Sequence, residues 1–259
     1  MPPLESAWHK TERAKKHILD LQRALQAFLD TRPYEVVREH KADTGEYIYR
    51  VARIAPTPPD IMLIAGDAIH NLRSALDYTV WEVAEIHSRT HPKLGGYPIF
   101  KDLQTYETEK ARRIEGVDPI SEKLIDGTKP YKGGNDLFWT LHELDNIDKH
   151  RVLVGTFWQL KNVDFLPPDI RAFGGGDYAF TNKPGVLEAV NGPRNLKAGD
   201  ILLATKVQLS DKVDFGLTVA FNEPPVVEGQ AVVELVETFA RLVDQTIRPF
   251  YALLSSRGQ

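Results

Sequence analysis

At 259 residues, with 42% hydrophobic and 26% charged side chains, the chain can bury a substantial core and has the composition of a soluble globular protein. The absence of cysteine excludes disulfides, thiolate metal centres and cysteine nucleophiles, and it fits a reducing cytoplasm. A formal charge of −4 gives no overall pull toward nucleic acid.

The first residues, Met1-Pro2-Pro3-Leu4-Glu5, lack the basic start and apolar stretch of a signal peptide. No run approaches the roughly 18 apolar residues of a membrane span. A cytoplasmic protein with no membrane partner is therefore expected. Leu4, Trp8, Ile18, Leu21, Leu25 and Phe28 recur at helical steps, so residues 4–30 read as an amphipathic helix closed by Pro33. Its basic residues Lys10, Arg13, Lys15, Lys16 and Arg23 are expected on a solvated face. Tyr34–Lys41 and Glu46–Ile54 flank Ala42-Asp43-Thr44-Gly45 and predict a hairpin.

Thr57 as N-cap, Pro58 and Asp60 mark the start of a second helix. Its apolar face, from Ile61 to Ile86, carries it to about His87. Residues 102–127 predict one or two shorter helices broken near Gly116 and Pro119, and Asn135 or Asp136 caps a third long helix reaching about His150. A β-rich stretch follows, punctuated by Gly174–Gly176, Pro184-Gly185 and Gly199-Asp200, with strands at Ile201–Val207 and Val213–Phe221. Gln230–Leu254 is again an amphipathic helix, kinked or split by Pro249. The resulting expectation is one α+β domain over residues 1–259. About four long helices (4–31, 58–150 and 229–255) carry a packed antiparallel β-sheet built from the hairpin and from strands of a β-rich insertion at about 152–225.

Two segments are too polar for helices that only fill a core. Gly66–Asp77 holds Asp67, His70, Asn71, Arg73, Ser74 and Asp77. His142–Arg151 holds His142, Glu143, Asp145, Asn146, Asp148, Lys149, His150 and Arg151. Burying such groups unpaired is costly, so two neighbouring helices of this kind imply a shared polar centre. Three readings compete. The groups pair with one another as a seam that fixes helix register, with function on the outer surface or at a homodimer interface. Alternatively, Asp67-x-x-His70 is half of the carboxylate-x-x-His arrangement of metal-binding bundles. Asp145, Asp148 and His150 of the second segment could add ligands, but that segment supplies no matching carboxylate-x-x-His half, so neither metal nor cofactor is expected. The third reading is metal-free phosphodiester chemistry. There His70 or His150 carries the proton, Arg73 or Arg151 steadies the phosphate, and Asp148 or Asp67 orients a histidine. Asp67, Asn71, Asp77, Asp145 and Asn146 then complete the network or bind a ligand. Partners would be RNA or a small anionic ligand.

Asp145-Asn146-x-x-x-His150 resembles the Arg-Asn-x-x-x-His motif of HEPN-domain ribonucleases, with Asp145 in place of the arginine. That resemblance implies an all-helical bundle and metal-independent RNA cleavage, with Arg73 or Arg151 substituting for the missing cation. Over residues 60–155 the chain also resembles a family of bacterial, largely actinobacterial proteins. It shares their Gly-Asp-x-x-His-Asn-Leu-Arg-Ser-Ala-Leu-Asp string at 66–77, Pro98-Ile99-Phe100, and Asn-x-x-Asp-Lys-His-Arg at 146–151. This second resemblance implies no particular activity. Gly174–Gly176 lacks the strand and helix context of a phosphate loop and reads as a turn. His87 and His91 flank a helix end and read as solvated or capping. Trp8, Trp81, Trp139 and Trp158 all fall in apolar patterns and are expected in the core.

Overall fold

The computed structural model describes residues 3–88, 95–158, 163–164, 178–180, 186–189, 196–205, 208–209 and 217–257. Its helices are α1 (Glu5–Asp30), α2 (Pro59–Ser88), α3 (Leu103–Arg113), α4 (Pro119–Thr128), α5 (Asp136–Asp148) and α6 (Val232–Arg257). Its strands are β1 (Tyr34–Lys41), β2 (Glu46–Ile54), β3 (Gly155–Trp158), β4 (Val163–Asp164), β5 (Tyr178–Phe180), β6 (Val186–Ala189), β7 (Ile201–Thr205), β8 (Thr218–Glu223) and β9 (Val227–Ala231). The fold class is α+β. The helices α1, α2 and α6 run 26, 30 and 26 residues and α5 runs 13, and among the described residues the strands form three separate antiparallel sheets rather than one.

The chain forms two compact units. The first comprises residues 1–21, 63–153 and 233–259; the second comprises 22–62 and 154–232. In the second unit the expected hairpin is present as β1–β2, and β7 adds to its other edge. Gly45, at φ +69°, supplies the left-handed turn residue that joins β1 to β2. A second sheet orders β3-β8-β9, and a third orders β4-β6-β5. Gly155 on β3 lies so close to Met62 that a Cβ would stand 2.3 Å from its sulfur. Ile48, Tyr49, Val51, Leu202, Ala204, Val219, Ala220 and Phe221 form the buried side of this unit. The strand expected over Val213–Phe221 is seen from Thr218, and residues 213–216 lie outside the described set, as do Gly174–Gly176.

In the first unit, Ala65, Ala68, Ile69, Leu72, Ala75, Leu76, Val80 and Val83 make the fully buried stripe of α2. Phe138, Leu141 and Leu144 make that of α5, and Phe239, Val243 and Phe250 that of α6. These are the periodic positions of amphipathic helices. Pro249 leaves α6 a single helix to Arg257. The N-cap assigned to Thr57 is not made, because its hydroxyl is buried without a partner among the described residues and α2 opens at Pro59. Firm caps sit elsewhere: Asp118 accepts from the amides of Ile120 and Ser121 at the start of α4, and Asn135 accepts from Leu137 at the start of α5. Glu82 accepts from the amides of Ser6 and Ala7 and so caps α1 from a distance. Trp8 and Trp81 are not core residues, being 49% and 39% exposed. His87 is exposed at the end of α2, and His91 lies outside the described residues.

Candidate functional site

Helical spacing puts Asp67, His70, Ser74 and Asp77 on one flank of α2, with Arg73 at its margin. The polar flank of α5 that answers it carries His142, Asp145, Asn146 and Asp148, with Lys149 just past the helix end. Between the two helices the structure separates an inner, saturated group from an outer, solvent-facing one.

Arg73 is the hub of the inner group and is buried, at 6% exposure. Its Nε donates to His142 Nδ1 at 3.2 Å, one terminal nitrogen to Asp77 Oδ1 at 2.5 Å, and the other to the Tyr97 carbonyl at 3.1 Å. Asp77 Oδ1 also accepts from the Tyr97 amide at 2.8 Å. The Arg73–Asp77 pair therefore grips both sides of one residue in the segment before α3. Tyr97 is held further by its ring, stacked on Phe138 at 5.6 Å, and by its hydroxyl, 2.9 Å from Thr128 Oγ1. Burial pushes the Tyr97 phenol above its ordinary range. The grip needs Gly96, where a Cβ would lie 2.7 Å from Asp77 Oδ1.

An arginine can only donate, so His142 Nδ1 must accept and cannot carry a proton. Burial, and then the charge of Arg73, push the His142 pKa down to about 4. The neutral ring thus holds its proton on Nε2. Asn146 Nδ2 lies 3.2 Å from this Nε2 and donates to Glu143 Oε1 at 3.4 Å.

The outer group centres on His70 and Asp145. Nδ1 of His70 lies 2.9 Å from Asp145 Oδ1; the imidazole is 48% exposed and the carboxylate 1%. The second Asp145 oxygen accepts from Lys149 Nζ at 2.5 Å. A buried carboxylate thereby fixes the orientation of an imidazole whose Nε2 faces outward, toward Ser74 Oγ at 3.5 Å. Ser, His and Asp stand in series here. However, Ser74 is inside a continuous helix whose amides are spent on i−4 carbonyls, so no pair of free N–H groups beside it can hold an acyl oxyanion.

Asp148 lies against the backbone of α2. A Cβ on Gly66 would stand 2.2 Å from its Oδ1, so only glycine admits the carboxylate there. Among the described residues Asp148 has no hydrogen-bond donor. Burial, then the charges of Asp145 and Asp67, raise its pKa, with His70 opposing. Asp67 is exposed, and Asn71 donates to the Asp67 carbonyl at 2.8 Å, along its own helix.

Of the expected site residues, Arg73, Asp77 and Asn146 fall in the inner group, and Asp67, His70, Asp145 and Asp148 in the outer one. His150 and Arg151 stand exposed beyond α5; Arg151 donates to the Val152 carbonyl at 3.3 Å, and the His150 ring makes no hydrogen bond among the described residues. From the second polar segment His142 and Lys149 also enter, and Glu143 accepts from Asn146 Nδ2 at 3.4 Å. The Tyr97 backbone had no sequence signal at all. Among the described residues no three His, Asp or Glu side chains are arranged to hold a metal ion. No described helix is long and apolar enough to cross a membrane. Comparison of the chain with protein-family models, curated proteins and solved structures gave no match.

Proposed function

We propose that the protein is a metal-independent acid–base enzyme that cleaves an RNA phosphodiester through the substrate's own 2′-hydroxyl. One observation carries this reading: a half-exposed His70 is held at Nδ1 by a fully buried Asp145, which turns Nε2 outward, with only the long Ser74 Oγ contact on it, for proton transfer. His70 Nε2 takes the 2′-hydroxyl proton, the 2′-oxygen attacks phosphorus, and the bond to the 5′-oxygen breaks. Asp148, whose raised pKa suits a proton donor, delivers the proton to that leaving oxygen. The products are a 2′,3′-cyclic phosphate and a 5′-hydroxyl. Arg73 is buried and spent on Asp77, Tyr97 and His142, so the cation that reaches solvent beside His70 is Lys149, 48% exposed and paired with Asp145 on one side. The partial HEPN resemblance of Asp145–His150 agrees with this class of chemistry, although His70 rather than His150 takes the proton.

A second reading rests on the inner group. Its buried members satisfy one another, as a seam that only fixes α2, α5 and the Tyr97 segment would require. Cleavage of a mixed RNA pool in excess chelator separates the two. The enzymatic reading requires cleavage by the parent protein and by His150→Ala, and none by His70→Ala. An inactive parent, or a fully active His70→Ala protein, overturns it and leaves the seam.

A further inference from the structure

A second feature of the first unit is independent of this polar centre. A cavity of about 620 Å³ lies between the start of α1 and the last turns of α6. That is the size of pockets that enclose small organic molecules. Its floor is apolar, with Leu4 at 1% and Ile247 at 5% exposure. Trp8 and Tyr251, 49% and 51% exposed, also line it. Two large aromatic side chains left open to solvent on one cavity are not explained by packing of the chain on itself. Lys15 Nζ already sits 5.0 Å from the Trp8 ring centroid, so this indole is placed to meet positive charge.

The charges of the lining do not cancel. Asp244 is neutralised by Arg248, whose nitrogen lies 2.6 Å from its Oδ2. Glu5 has no such partner: neither carboxylate oxygen makes a hydrogen bond or ion pair among the described residues, and Oε2 is buried. A carboxylate oxygen withdrawn from water without a donor carries a cost, even where its partner oxygen is not buried. An external cation would offset that cost.

We propose that this cavity binds a small organic cation, an ammonium group on an apolar or aromatic body. The body rests on Leu4 and Ile247 between Trp8 and Tyr251, and the charge answers Glu5. Arg248 remains with Asp244 and disfavours a second positive charge, so the site suits a monocation.

The test uses benzyltrimethylammonium as probe, with neutral neopentylbenzene-type isosteres and phenylpropionate as controls, followed by the indole N–H resonances of the full chain. The cation is expected to shift the Trp8 resonance saturably, at least tenfold more tightly than either control. Glu5→Gln should weaken it about tenfold, and Tyr251→Ala, at an exposed position, should weaken it without lowering the melting temperature. Equal binding of the neutral isostere, unchanged binding to Glu5→Gln, or no saturable shift of Trp8 at 10 mM cation would each overturn the proposal.

Discussion

Nε of Arg73 donates to Nδ1 of His142 across 3.2 Å, and this single bond decides which form of the histidine the fold accepts. A protonated His142 would point a second N–H at the guanidinium. The native ring is therefore neutral, with its pKa depressed to about 4.

A pH dependence follows. Between the ordinary histidine range and about pH 4 the unfolded chain binds a proton at residue 142 that the folded chain does not. The contribution is complete above roughly pH 6.5 and is lost as pH falls toward the native value, amounting to about 3 kcal/mol. Urea unfolding at pH 7.5 and pH 4.5 should show this loss in the parent and a much smaller one in His142→Gln, which can still accept from Arg73. Equal acid sensitivity of the two proteins would remove His142 from the account.

Arg73→Ala strands the Asp77 carboxylate, the Tyr97 carbonyl and His142 Nδ1 together. The expected loss is about 3–5 kcal/mol, read from chemical denaturation. Arg73→Lys should recover only a small part of it, because one ammonium cannot reproduce three diverging donors of a planar fork. Full rescue by lysine would mean that charge alone, not the three-way grip, holds the segment.

Two glycines touch the site, and alanine should affect them differently. At Gly96 the added methyl meets Asp77, which is pinned by Arg73 and the Tyr97 amide and cannot yield. Gly96→Ala should cost about 1–3 kcal/mol. At Gly66 the methyl meets Asp148, a side-chain end with no hydrogen bond to lose among the described residues, while alanine adds about 1 kcal/mol of helix propensity. Gly66→Ala should therefore be near neutral in thermal melts yet impair RNA cleavage, since it displaces Asp148. A large stability loss at Gly66 would show that Asp148 is locked in place after all.

Asp148 is kept ionisable at a cost. Burial and the neighbouring Asp145 and Asp67 charges raise its pKa, so the folded state holds a proton there more readily than the unfolded one. Stability from this group therefore grows as pH falls. Asp148→Asn should raise stability slightly at pH 7, with the gain vanishing in acid. In the same variant cleavage should fall, the trade expected where function holds a strained group. Unchanged cleavage would deny Asp148 the role of proton donor.

Asp145→Asn tests the orientation of His70. The buried amide can accept from only one side, so about 1–3 kcal/mol of stability should go. Cleavage, measured well below the melting temperature, should drop by about 10²–10⁴-fold. His70→Gln should lose cleavage comparably while leaving the melting temperature close to that of the parent, because its ring is half in water. Activity that tracks melting temperature across both variants would reduce the pair to a structural contact.

Local chemistry carried much of this fold on its own. The β1–β2 hairpin has the predicted limits because alternating strand formers flank a glycine that tolerates the left-handed turn. The amphipathic helices follow from apolar residues at helical spacing, and α3 and α4 part at Gly116 and Pro119 as the punctuation requires. β9 escaped because Gly229 sits within it and its pattern runs straight into α6. The division into three sheets depends on which strand edges meet, a nonlocal choice that no window of residues encodes.

The polar centre divides in the same way. The sequence determined that α2 and α5 each carry acid, base and amide groups on one flank, because helical periodicity alone places them there. Only the tertiary structure decided that Arg73 turns inward to Tyr97 and His142, and that His70 with Asp145 turns outward. That choice depends on the rotational phase of α5 against α2 and on the backbone segment that arrives at Gly96, and both are set by packing of residues far apart along the chain.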